Sequence, residues 1–293
     1  MLGHSMISVL LGLVAALSWS IHDLLARRFA GGVGPFRMSF WIMLAGAALL
    51  VVPVLWRGQI LHGDAQALAI ALAMGLVYAF AMGALLLAFS LAPVSIVGPM
   101  TAGYPAIVVA WGMMQGHFPS VLQWLAIALI LAGVVIVSRN GHDDGHADSV
   151  EPGKMPLVIG AALVADLAFA ATVIMGQSAT TSLGEYEVTF LSRFPAAALL
   201  LFMMLKDRAQ LAPLSTVGRI SIIAMAACDV TAVTAINAAA WFPNRELGAM
   251  AIASYGALSV LMAMLFLRER VAALQWLGIA LVVTGVAILG WPN

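Results

Sequence analysis

The 293-residue sequence predicts an all-α polytopic membrane protein: ten transmembrane helices arranged as two inverted five-helix repeats. Three observations carry that expectation. Hydrophobic residues make up 63% of the chain and charged residues 9%, with a mean hydropathy of +1.05. A water-soluble domain needs roughly a quarter of its residues charged, so lipid must cover this surface instead. The apolar residues fall into ten stretches of about the length that crosses a bilayer, roughly 17–25 residues. Finally, "LQWLAIALILAGVVIV" at 122–137 returns as "LQWLGIALVVTGVAIL" at 274–289, with ten of sixteen positions identical at an offset of 152.

The ten spans are 7–25, 36–55, 65–89, 94–115, 121–137, 157–179, 188–205, 220–241, 247–267 and 271–289, each bounded by Pro, Gly or charge. The first has neither a basic leader nor a small-x-small cleavage site and is read as a retained helix. The connections are short except "SRNGHDDGHADSVEPGKMP" at 138–156, polar and rich in Gly and Asp. It divides the chain into a first five-helix repeat (1–138), a linker (139–155) and a second repeat (156–293). Spans five and ten are then one element in two copies. "LAP" at 91–93 and "WFP" at 241–243 close spans three and eight at an offset of 150, and Gly12 and Gly160 open spans one and six at an offset of 148. Five helices per copy force the second copy to enter the membrane from the opposite face. Many secondary transporters build alternating access around a midplane site in this way.

Several classes are excluded or disfavoured. The single cysteine, Cys228, allows no intramolecular disulfide. Zero net charge gives no electrostatic footprint for nucleic acid. The membrane spans carry no His-Glu-x-x-His, Gly-x-Ser-x-Gly or phosphate-loop motif, so enzymatic chemistry is not expected, and neither a metal nor a cofactor is implied. Without a nucleotide-binding domain, any transport must draw on gradients.

The end of the second repeat, "LFLRERVAALQWLGIALVVTGVAI" (265–288), resembles ten-helix members of the drug/metabolite transporter superfamily of the EamA type, with Glu269 in the turn and spaced Gly278 and Gly285 in the helix. The matching turn of the first repeat, "GHFPS", has His117 where that family usually has Glu. In length and layout the chain is similar to the amino-acid exporters of the YddG type. The resemblance implies an integral protein of a bacterial inner membrane and a cavity lined by spans 1, 3, 4, 6, 8 and 9, with spans 5 and 10 peripheral.

Sidedness follows from charge. The loops joining spans 1–2, 3–4, 5–6, 7–8 and 9–10 share one face and carry ten Lys and Arg residues; the other face carries Arg57 and Arg245. Lys- and Arg-rich loops stay cytoplasmic, which places both termini outside. The resemblance implies cytoplasmic termini; the charge count, read from this chain, is the one followed.

Ionisable groups inside lipid are functional hypotheses by default. Asp166 is central in span six and Asp229 in span eight, and the repeat offsets set them against neutral Ser18 and Ala79. Two carboxylates confined to one half suit a substrate with a positive group, such as an ammonium. His22 and Asp23 are candidate proton relays, because a His beside a carboxylate titrates near physiological pH. Trp19, Tyr78, Met82, Tyr104, Phe169 and Tyr255 complete the expected substrate site. Tyr104 and Tyr255 lie in "TAGYP" and "ASYGA", Gly- and Pro-loosened stretches at related positions of the two halves. Arg193 in span seven is expected to pair with Glu185 or Glu187, or to reach a substrate carboxylate. Gly112-x-x-x-Gly116 matches a close-contact motif but does not fix oligomeric state, and a monomer satisfies the sequence. The leading expectation is a secondary exporter of small amphipathic metabolites, amino acids first. Proton-coupled efflux of lipophilic cations is the alternative.

Overall fold

A computed structural model describes residues 4–29, 35–58, 63–91, 103–139, 153–205, 215–267 and 272–291. The 140–152 part of the linker, residues 94–102 of the fourth span and Lys206, Arg208, Arg268, Glu269 and Arg270 lie outside the described residues, as do the side chains of Arg27, Arg28 and Arg139.

Among the described residues the regular structure is helical: α1 (His4–Phe29), α2 (Pro35–Arg57), α3 (Ala65–Leu91), α4 (Tyr104–Met114), α5 (Val121–Arg139), α6 (Met155–Leu183), α7 (Glu185–Leu205), α8 (Thr216–Ala238), α9 (Arg245–Ile252), α10 (Tyr255–Met262) and α11 (Ala273–Leu289). Among the described residues seven spans are long and apolar enough to cross a membrane, and three shorter apolar helices, Tyr104–Met114, Val121–Val137 and Ala273–Leu289, lie within the other three expected spans. Helices suit this solvent because every backbone group is satisfied within the segment. Large apolar side chains such as Val52, Leu55, Leu163 and Ile220 are more than half exposed, as a lipid-facing surface requires.

Local chemistry sets the ends. Pro35 opens α2, and Pro105 and Pro156 stand in the first turns of α4 and α6, where a missing N–H costs nothing. The Asp64 side chain accepts from the Ala67 N–H at 2.7 Å and the Ser215 hydroxyl accepts from the Gly218 N–H at 3.0 Å, capping α3 and α8. The α6–α7 connection is Gly184 alone, at φ +94°, its N–H closing on the Thr180 carbonyl at 2.8 Å. The ninth span is broken into α9 and α10 at Ala253–Ser254, immediately before Tyr255. Ser20 of α1 spans the break by donating to the Tyr255 carbonyl at 3.1 Å.

Packing follows the repeat. α1 lies against α8 as α6 lies against α3, while α2 pairs with α7 and α5 with α11 across the internal axis. The α5–α11 crossing shows the two-fold in its atoms. A Cβ added at Gly133 would meet the Gly278 carbonyl at 2.6 Å, and one at Gly285 would meet the Ala126 carbonyl at 2.8 Å. At the 152 offset those are the same contact made twice, and it closes only because small residues let the backbones touch. α5 and α11 pack chiefly on one another, at the periphery.

Gly112 makes a close contact, its missing side chain leaving room for Glu246, 2.4 Å from where a Cβ would stand, whereas Gly116 has nothing within 4 Å and supplies a positive φ of 91° beyond α4. The motif is spent inside the chain.

Candidate functional site

The predicted site residues are carried by six helices: Trp19 by α1, Tyr78 by α3, Tyr104 by α4, Asp166 and Phe169 by α6, Asp229 by α8, and Tyr255 by α10. Tyr104 is the first residue of α4 and Tyr255 the first of α10, where the ninth span resumes after its break.

Asp229 is the hub. It is buried, and its Oδ2 accepts from Arg193 Nη1 at 2.5 Å. Its Oδ1 accepts from Trp19 Nε1 at 3.3 Å and from the Tyr78 hydroxyl at 3.5 Å. Arg193, also buried, places the same Nη1 3.2 Å from Met43 Sδ, while its Nε and Nη2 have no hydrogen-bond partner. The expected pairing of Arg193 with Glu185 or Glu187 is therefore corrected. Glu185 is taken by Arg57 at 2.5 Å and by Trp241 at 3.0 Å, both at the membrane surface. Arg193, two turns deeper on α7, meets α8 instead. The charge of Asp229 is thus already matched within the protein.

Asp166 is different. It is 4% exposed, its Oδ1 has no hydrogen-bond partner, and the backbone N–H of Tyr104 is the group that faces its carboxyl. One turn on, the Phe169 ring stands 6.2 Å from Tyr78 and 6.0 Å from Tyr104, forming an aromatic row that joins the Asp166 region to the Asp229 hub. Met82, one turn beyond Tyr78 on α3, is half-buried and makes no polar contact among those described. His22 Nδ1 and Asp23 Oδ1 are 3.1 Å apart, and Asp23 Oδ2 accepts the Tyr255 hydroxyl. The sequence-predicted residues other than Met82 therefore fall into two groups, the Asp229 hub with the aromatic row beside Asp166, and the His22–Asp23–Tyr255 chain. Sequence reasoning placed Arg193 inside the membrane but missed its partner.

The two ends of the bundle differ. At the end holding the α2–α3, α6–α7 and α8–α9 connections, Arg57 binds Glu185 and stacks over Tyr186 at 5.3 Å. Ser182 donates to Asp64 at 2.7 Å, and Ser8 to the Pro243 carbonyl at 3.2 Å. Asp64 lies outside the spans, and the Ser182 hydroxyl, helped by the Ala67 N–H, holds its carboxyl below the ordinary range. His117, the departure from the Glu-bearing turn, meets Glu246 at 2.8 Å. Gly12 packs onto Gly248 so closely that a Cβ would stand 2.1 Å from its carbonyl. Toward the opposite end, whose connecting segments lie outside the described residues, an apolar cavity of about 650 Å³ is lined by residues of α2, α3, α6 and α7 including Phe36, Phe80, Leu87, Leu157 and Met203. Gly160, the repeat counterpart of Gly12, borders that space, and nothing lies within 4 Å of where its Cβ would stand.

Among the described residues these features are those of a polytopic helical membrane protein with a buried polar cluster between its helices. The chain is a member of the EamA-like transporter family, whose model matches it twice, over residues 6–139 and 156–291, so it is an integral membrane transporter of the drug/metabolite type. No curated protein matches the sequence. A solved structure titled "Crystal structure of protein" is similar to it with a TM-score of 0.80 at 18% identity, over 96% of this chain and 95% of the other. At that identity the likeness is one of fold.

Proposed function

We propose that the protein exports small amphipathic metabolites, amino acids foremost, by alternating access around the central cluster. The observation that carries this reading is Asp166: a buried carboxyl oxygen without a partner, next to an aromatic row and separate from the self-neutralised Asp229–Arg193 pair. A substrate ammonium satisfies that oxygen, and the faces of Phe169 and Tyr104 accept the adjoining carbons and the cation's field. The unpartnered Nε and Nη2 of Arg193 complement a carboxylate, so a zwitterion matches both orphan groups. The two repeats supply the motion by rocking about the internal axis.

Proteoliposomes with and without a pH gradient, assayed for flux of labelled amino acids, test the reading. Asp166→Asn keeps the shape and removes the charge; transport is expected to fall to background while membrane insertion and yield remain. Wild-type rates in Asp166→Asn at several pH values make the residue structural. Flux of lipophilic cations in place of amino acids moves the assignment to multidrug efflux.

A further inference from the structure

The apolar cavity of about 650 Å³ is separate from the polar cluster. On α3 its wall is Phe80, Gly83, Ala84 and Leu87; on α6 it is Leu157, Gly160, Ala161 and Val164. In both helices these positions follow the same i, i+3, i+4, i+7 spacing and so form one face. Tyr78 stands two residues before Phe80, and Asp166 two residues after Val164, which turns each about 200° away from the cavity wall. The cavity therefore lies on the outer flank of α3 and α6, where Phe80 and Leu157 are more than half exposed. Phe36 of α2 and Met203 of α7 extend the lining, and among the described residues every lining side chain is apolar. A charged metabolite finds no hydrogen-bond partner there, so the substrate proposed for the polar cluster does not fit.

Missing side chains make the space. Among the described residues nothing lies within 4 Å of where a Cβ of Gly160 would stand, and one on Gly83 would meet the flexible end of Met203, its Cε at 3.1 Å. Ala161 packs with Ala88 and Val158, so α3 and α6 touch beside the crevice. From Leu87 to Phe80, and from Leu157 to Val164, the walls run seven residues into the span, about 10 Å at the helical rise. At that depth the solvent is hydrocarbon, and what fills an apolar crevice open to it is an acyl chain. The outer end is basic. Arg37 follows Phe36 in the first turn of α2, and Lys154 precedes Leu157 by about one turn at the start of α6. The first turns of α2 and α6 and the last turns of α3 and α7 contain no acidic residue. We propose that the crevice binds one anionic phospholipid, with an acyl chain against Gly83 and Gly160 and the phosphate at the level of Arg37 and Lys154. Burial of the chain supplies the affinity, and the two cations select the headgroup.

The inference is independent of the substrate, so its test uses none. The full chain, delipidated in detergent, is titrated with phosphatidylglycerol or with phosphatidylcholine of the same acyl chains, and bound lipid is counted by native mass spectrometry. The wild type is expected to hold one phosphatidylglycerol about fivefold or more tighter than phosphatidylcholine, as a basic residue at the membrane surface provides. Gly160→Leu puts a side chain where the acyl chain lies and is expected to weaken both lipids about tenfold, the loss of roughly two buried methylenes. Lys154→Gln is expected to reduce the preference for phosphatidylglycerol while leaving phosphatidylcholine binding as it was. Should Gly160→Leu fail to fold, Leu87→Trp fills the same crevice from α3 and carries the test. Equal affinity for the two lipids in the wild type, or wild-type affinity in the filled variants, leaves annular lipid only and overturns the proposal. A preference that survives Lys154→Gln undiminished overturns the headgroup placement. A dimer mass that Gly160→Leu abolishes makes a second copy of the chain the occupant and overturns the proposal equally.

Discussion

The Arg193–Asp229 pair gives the sharpest energetic prediction. Both groups are buried, with 2.5 Å between Nη1 and Oδ2. Two unit charges 4 Å apart attract by about 4 kcal/mol at an effective dielectric constant of 20. Removing one member of a buried pair costs about 3–5 kcal/mol, because the other is left uncompensated. The two losses are unequal here. Asp229→Asn leaves a guanidinium that cannot shed its charge and now faces an amide donor, so about 3–5 kcal/mol is expected. Arg193→Met leaves a carboxyl that still accepts from Trp19 and Tyr78, so the loss should be nearer that of one charge-assisted hydrogen bond, about 1.5–3 kcal/mol. In Arg193→Met/Asp229→Asn no charge remains, and the double variant should be more stable than Asp229→Asn alone. Reversible unfolding in mixed micelles, titrated with a denaturing detergent and followed by tryptophan fluorescence, measures all three. Single losses that add within about 0.5 kcal/mol would refute the coupling and with it the hub.

Other expectations follow from the same geometry. Gly12→Ala should abolish stable folding, since its Cβ would stand 2.1 Å from the Gly248 carbonyl, while Gly160→Ala should be tolerated; yield and melting of the two variants check this. The depressed carboxyl of Asp64 contributes stability that is present above its unfolded value, about 3.9, and is lost as pH falls through its lower folded one. Asp64→Asn should therefore flatten the acid limb of a thermal-melt series. A cysteine in the 139–155 linker, in a Cys228→Ala background, should be protected from impermeant thiol reagents in intact cells, as the ten-to-two distribution of basic residues requires; ready labelling there overturns termini outside.

The amino-acid sequence alone determined the solvent, the element type and the repeat. Sixty-three per cent apolar residues in runs of bilayer length admit little but membrane helices, and the recurrence of LQW at offset 152 reveals duplication, because length and self-similarity are local properties of the string. It also located Asp166, Asp229 and the tyrosines, since a polar group in an apolar run is conspicuous wherever the run ends up. Only the tertiary structure decided which of these groups meet. Glu185 is eight residues from Arg193 and Asp229 thirty-six, yet Arg193 chooses Asp229 and Glu185 chooses Arg57, 128 residues away. Helix depth and crossing, not spacing, select the partner. The partnerless Oδ1 of Asp166 emerges for the same reason: whether a buried carboxyl oxygen is satisfied depends on what the neighbouring helices carry at the same depth, and close glycine contacts such as Gly12 on Gly248 fix that register.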